Sequence, residues 1–93
     1  MATRRYRIDF KPSAEKSLTK LPTGLQKRIV RAVELLAENP RPHGVVKMEG
    51  DENLWRIRVG DFRVVYEIHD SVLLVMVLRV GHRREVYRGS VGT

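Results

Sequence analysis

The chain has 93 residues, enough for one domain, and at this length folding hides roughly 60–65% of the surface the unfolded chain exposes. Eighteen Lys and Arg against 11 Asp and Glu leave a net charge of +7, which selects polyanionic partners: nucleic acid, an acidic protein or an anionic membrane surface. Cysteine is absent, so disulfides, thiolate catalysis and thiolate metal sites are excluded together; the opening cations are followed by no apolar run of signal-peptide length, and no stretch approaches the length of a membrane span.

In chain order, Tyr6, Ile8 and Phe10 alternate with Arg5, Arg7 and Asp9, the period of a strand with one buried face. Lys11-Pro12-Ser13 then starts a short helix whose apolar stripe is Ala14, Leu18 and Leu21. Pro22-Thr23 opens a longer helix in which Leu25, Ile29, Ala32, Val33 and Leu36 keep the 3.6-residue rhythm until Asn39-Pro40 stops it. The two helices form a hairpin. Residues 40–53, with two prolines, two glycines and the acids Glu49, Asp51 and Glu52, read as a surface loop.

From Leu54 the period becomes two. Trp55, Ile57 and Val59 alternate with Arg56 and Arg58, Gly60-Asp61 supplies a tight turn, and Phe62, Val64, Tyr66 and Ile68 alternate with Arg63, Val65 and Glu67. A turn at His69-Asp70-Ser71 leads to Val72–Val80, apolar at eight of nine positions, which predicts a central strand covered on both faces and broken by Gly81. A last short strand is expected at about residues 84–88. The fold class is therefore α+β: a small antiparallel sheet of four to five strands with the N-terminal helical hairpin on one face, in the order β-α-α-β-β-β-β.

After Trp55 every cation other than histidine is an arginine: Arg56, Arg58, Arg63, Arg79, Arg83, Arg84 and Arg88. The guanidinium fork grips phosphate bidentately and keeps its charge in a partly dry cleft, so this usage points to phosphate recognition; a solvated strand face is the plainer alternative. Parity puts Arg56 and Arg58 on one face, opposite the side that Trp55, Ile57 and Val59 commit to the core. Tyr66 and Trp55 are expected in the core, His69 in a turn without catalytic work, and Arg79 either at an edge or against a partner. His43, His69 and His82 lack metal-ligand spacing, so no metal or other cofactor is expected.

The run Leu54-Trp55-Arg56-Ile57-Arg58-Val59-Gly60-Asp61-Phe62-Arg63-Val64-Val65-Tyr66-Glu67-Ile68, followed by Val77 to Arg88, resembles the RelE/ParE toxin family. Ala14, Leu18, Leu21-Pro22 and the Asn39-Pro40 helix stop extend the similarity to residues 5–88. The resemblance implies a cytosolic toxin held inactive by a cognate, RelB-like antitoxin, with no membrane partner. RelE-type members cleave mRNA in the ribosomal decoding site, whereas ParE-type members poison DNA gyrase on the same fold. The RelE-type catalytic pattern falls here on Arg56, Arg58, Arg63, Arg83 and Tyr87, with arginine at two places where lysine is frequent. His82 and Glu85 are the auxiliary acid or base candidates. The implied reaction is metal-free attack of an RNA 2′-hydroxyl on the adjacent phosphate. The rival expectations are a gyrase inhibitor and a non-catalytic nucleic-acid-binding partner of an antitoxin, acting with it at operator DNA.

Overall fold

The computed structural model describes residues 5–48 and 53–82. Its elements are β1 (Arg7–Phe10), α1 (Pro12–Thr19), α2 (Thr23–Leu35), β2 (Val46–Lys47), β3 (Leu54–Val59), β4 (Phe62–His69), a 3-10 turn (Asp70–Val72) and β5 (Leu74–His82). The sheet has five strands in the order β1-β5-β4-β3-β2. No helix among the described residues is long and apolar enough to cross a membrane.

The expected layers are present, with two differences of pairing. The sheet is mixed, not antiparallel throughout, because β1 runs parallel to β5, with Ile8 beside Val75 and Phe10 beside Val77. The α1–α2 hairpin makes this possible by carrying the chain back across the sheet before β3, so β1 is left to close the far edge. The loop of residues 40–53 also contributes a short strand, since Val46 and Lys47 pair with Arg56 and Trp55.

Between β3 and β4 the turn is Gly60-Asp61, with φ +60° at Gly60 and, among the described non-glycine residues, a positive φ only at Leu73. Positive φ at the first central residue alone is the type II′ pattern, whose twist suits a hairpin and which glycine adopts without strain. Leu73, at φ 51°, turns the chain from the 3-10 segment into β5, so that strand starts at Leu74 and not at Val72. Gly81 does not end it: β5 continues to His82, with Gly81 opposite Arg63. The strand expected at residues 84–88 lies outside the described residues.

One face of the sheet and the apolar stripes of the helices make the core. Ile29 and Val33 of α2, Leu36 just after it, and Ala14 and Leu18 of α1 pack on Ile57, Val64, Tyr66, Ile68, Val75 and Val77. Tyr66 is fully buried, and its hydroxyl donates to the carbonyl of Pro40 at 2.7 Å, which fixes the chain leaving α2 to the middle of the sheet. Burial raises the Tyr66 pKa well above the usual phenol value of 10.0. In the unfolded chain the same phenol ionises near 10, so its contribution is whole below that pH and fades as pH rises further. Tyr66→Phe is expected to cost about 1–3 kcal/mol at neutral pH by orphaning the buried carbonyl. Urea titrations of both proteins should show that difference narrowing above about pH 10; a constant difference would contradict the assignment.

A second tie lies at the start of β1. The Tyr6 hydroxyl donates to Asp70 Oδ1 at 2.5 Å, and Arg41 grips both Asp70 oxygens, at 3.2 and 2.8 Å. The Asp70 hydrogen bond, with burial and the Asp70 charge behind it, pushes the Tyr6 pKa upward. Arg41 also lies 5.1 Å from the centre of the Trp55 ring, and Lys47 sits 6.0 Å from it. Trp55 is half-buried against the core, as expected, and this clasp covers it.

Candidate functional site

The opposite face of the sheet carries the arginines. Residues paired across strands share a face, so the register fixes which side chains meet. Arg58 stands directly opposite Arg63, which stands opposite Gly81; in the next row Arg56, Val65 and Arg79 run across three strands, with Val46 beside Arg56. A further row along, Leu54, Glu67 and Met76 follow, with Asp9 beside Met76. Glu67 is bonded to His69 at 3.0 Å and Asp9 to Arg7 at 3.3 Å. The face is therefore cationic at the Gly60 end and acidic with mixed charge at the other.

Two like charges directly opposite each other on a sheet are destabilising, and a two-residue turn allows Arg58 and Arg63 no other register. Arg63 is the buried charged residue of the described chain, 7% exposed, with Nη1 donating to the Phe62 carbonyl at 3.4 Å. Arg58 is exposed and its Nε donates to the Gly60 carbonyl at 3.3 Å. Between them and Arg56 lies a cleft of about 290 Å³, lined also by Gly44, Val46 and Ile57. Gly44 has φ +90°, a left-handed conformation that glycine takes without strain and that turns the loop back over the hairpin. The loop thus supplies one wall of the cleft.

This arrangement brings together Arg56, Arg58 and Arg63 and adds Arg79, which is exposed at the middle of the same face. Arg79 reaches it through a β-bulge: Val65 pairs with Arg79 and Tyr66 with Val77, leaving Leu78 as the extra residue. Simple alternation from Val75 and Val77 would have turned Arg79 into the core. The signal in the sequence is the cation itself, standing at a core-parity position within an apolar run.

His82 falls on the other side. It pairs with Phe62 on the helix-facing surface, ring edge against ring at 5.7 Å and 80°, away from the arginine cleft. Arg83, Glu85 and Tyr87 lie outside the described residues. Three arginines line the cleft; a guanidinium group can donate to the oxygens of a phosphodiester but supplies no base, since arginine keeps its proton.

The chain matches, over residues 8–87, the family model described as ParE toxin of type II toxin-antitoxin system, parDE. Toxin RelG of Mycobacterium tuberculosis is 31% identical over 89% of this chain and 97% of its own. The mRNA interferase toxin RelE of Escherichia coli is 29% identical over 92% of this chain and 94% of its own. The crystal structure of the archaeal RelE–RelB complex from Pyrococcus horikoshii superimposes with a TM-score of 0.76 at 28% identity, covering 85% of this chain and 96% of that one. With a match across nearly the whole chain and relatives aligned over nearly their full lengths, the protein belongs to the RelE/ParE family and is a RelE-like toxin of a toxin–antitoxin system.

Proposed function

We propose that this toxin is a ribosome-dependent mRNA endonuclease of the cytosol, silenced by a RelB-like antitoxin whose acidic or amphipathic segment covers the arginine face. The observation that carries this reading is that Arg58 and Arg63, paired across the hairpin, line one small cleft together with Arg56, which gathers three phosphate-binding side chains around one opening. The relative named mRNA interferase supports RNA as that anion, and the solved RelE–RelB complex supports the antitoxin.

In the proposed reaction the RNA 2′-oxygen attacks its neighbouring phosphorus, the bond to the 5′-oxygen breaks, and the products are a cyclic phosphate and a 5′-hydroxyl. The 2′-proton passes to a base and the leaving oxygen takes a proton from an acid. Arg56, Arg58 and Arg63 hold the two non-bridging oxygens of the phosphorane, with Arg83 as a fourth charge by family resemblance. Tyr87 is the proposed acid–base group, in the place the family resemblance gives it, and Glu85 is the alternative. Positioning of the message by the ribosome supplies the in-line geometry that a cleft without a strong base does not.

The experiment is product analysis: cleaved message should end in a 2′,3′-cyclic phosphate, and a single 2′-deoxy substitution at the cut site should abolish cleavage. Cutting that persists at the deoxy position would reject 2′-hydroxyl attack. Because Arg56 acts as a clamp in this scheme, Arg56→Lys should keep cleavage within about tenfold, whereas Arg56→Ala should weaken it further. Equal loss in both would show that the guanidinium plane, not its charge, is required.

A further inference from the structure

The β3–β4 turn joins the arginine cleft to a second cationic surface on α2. A Cβ built on Gly60 would sit 3.6 Å from Arg28 Nη2 and 3.9 Å from Nη1, while Arg58 Nε donates to the Gly60 carbonyl at 3.3 Å. Guanidinium groups from a helix and from the cleft thus meet across one glycine. Beyond Arg28, the exposed side of α2 carries Lys27 and Arg31 around a groove of about 500 Å³ that Gln26, Val30 and Glu34 complete. α2 lies over β3, the strand that carries Arg56 and Arg58, on the opposite face of the sheet from the cleft, whereas α1 packs on β5. The core needs none of these three cations, since α2 meets it through Ile29 and Val33.

We infer that a single-stranded RNA held in the arginine cleft leaves it over the Gly60 turn, where Arg28 and Arg58 share a phosphate outside the scissile position, and continues along Arg31 and Lys27 of α2. The inference rests on the reading of the cleft as an RNA site. The track grips the sugar–phosphate backbone, so it adds affinity and salt dependence without selecting bases. Gly60 is suited to this place because its positive φ makes the turn that sets the Arg28 and Arg58 side chains on either side of it.

The test uses the full chain and RNA oligomers made uncleavable by 2′-deoxy substitution, of about three and about nine nucleotides, with binding followed by fluorescence anisotropy across a salt series. The wild type should bind the longer oligomer roughly ten- to a hundredfold more tightly, the worth of one or more added charge-assisted hydrogen bonds. In Arg28→Ala/Arg31→Ala that advantage should vanish while trinucleotide binding stays, and the salt slope for the long oligomer should fall by about 0.7 for each phosphate no longer neutralised. Lys16→Ala/Lys20→Ala, which removes equal charge from α1 and the residue that caps it, should leave the advantage intact. A double variant that keeps the length advantage, or a control that abolishes it equally, would overturn the track while leaving the cleft standing. If neither length binds the wild type, or Arg56→Ala does not weaken trinucleotide binding, the reading of the cleft as an RNA site fails, and the inference with it.

Discussion

Arg58→Ala is expected to lower ribosome-dependent cleavage by about 10²–10³ while leaving the fold intact, the usual loss when one preorganised donor to a developing oxyanion is removed. The two halves of the expectation have separate causes. Arg58 is exposed and contributes nothing to the core, which Ile57 and Val59 enter from the same strand. Its hydrogen bond from Nε to the Gly60 carbonyl, at 3.3 Å, stays within its own turn. The urea midpoint should therefore stay level as activity falls. A fall in both would mean that Arg58 braces the hairpin, and unchanged cleavage would remove it from the site.

Tyr87→Phe is expected to cost about a hundredfold or more in the same assay, the range for loss of a general acid or base. Three arginines line the cleft, arginine does not deprotonate, and His82, the described imidazole nearest in sequence to Tyr87, turns to the opposite face against Phe62. No residue lining the cleft is a proton acceptor, and Tyr87 holds the place that the resemblance gives it. Phenylalanine keeps the ring and removes only the hydroxyl, so RNA binding and its salt dependence should be unchanged. Glu85→Gln run in parallel discriminates the two candidates. Loss in the glutamine variant with activity retained in Tyr87→Phe would transfer the role to Glu85.

Much of this architecture was readable from residue order. The alternation Trp55-Arg56-Ile57-Arg58-Val59, the Gly60-Asp61 turn and the alternation from Phe62 fix the hairpin register, and with it the Arg58–Arg63 pair. Both helices were visible because Ala14–Leu18 and Ile29–Val33 keep the period of a helix packed on one side. What local pattern could not carry was pairing at a distance. Whether β1 joins β5 or β3, and in which direction, depends on the path of the helical hairpin and leaves no trace in Tyr6-Arg7-Ile8. The bulge at Leu78 shows only as a cation at a core-parity position, with nothing to fix where the extra residue falls, yet it decides that Arg79 joins the arginines and that His82 leaves them. Val46 and Gly44 became walls of the cleft through a two-residue strand too short for any periodicity to show.

If the arginine cleft serves RNA cutting and the ribosome completes its geometry, a purified translation reaction programmed with one defined message should show it, with cut sites mapped by primer extension in the presence and absence of ribosomes and gyrase supercoiling assayed with the same protein. Cuts are expected within the translated region when ribosomes are present, with little or no cutting of the naked message, loss of the cuts on addition of a cognate antitoxin, and undisturbed supercoiling. An intact message together with inhibited supercoiling would contradict it and assign the protein to the gyrase-poisoning side of its family.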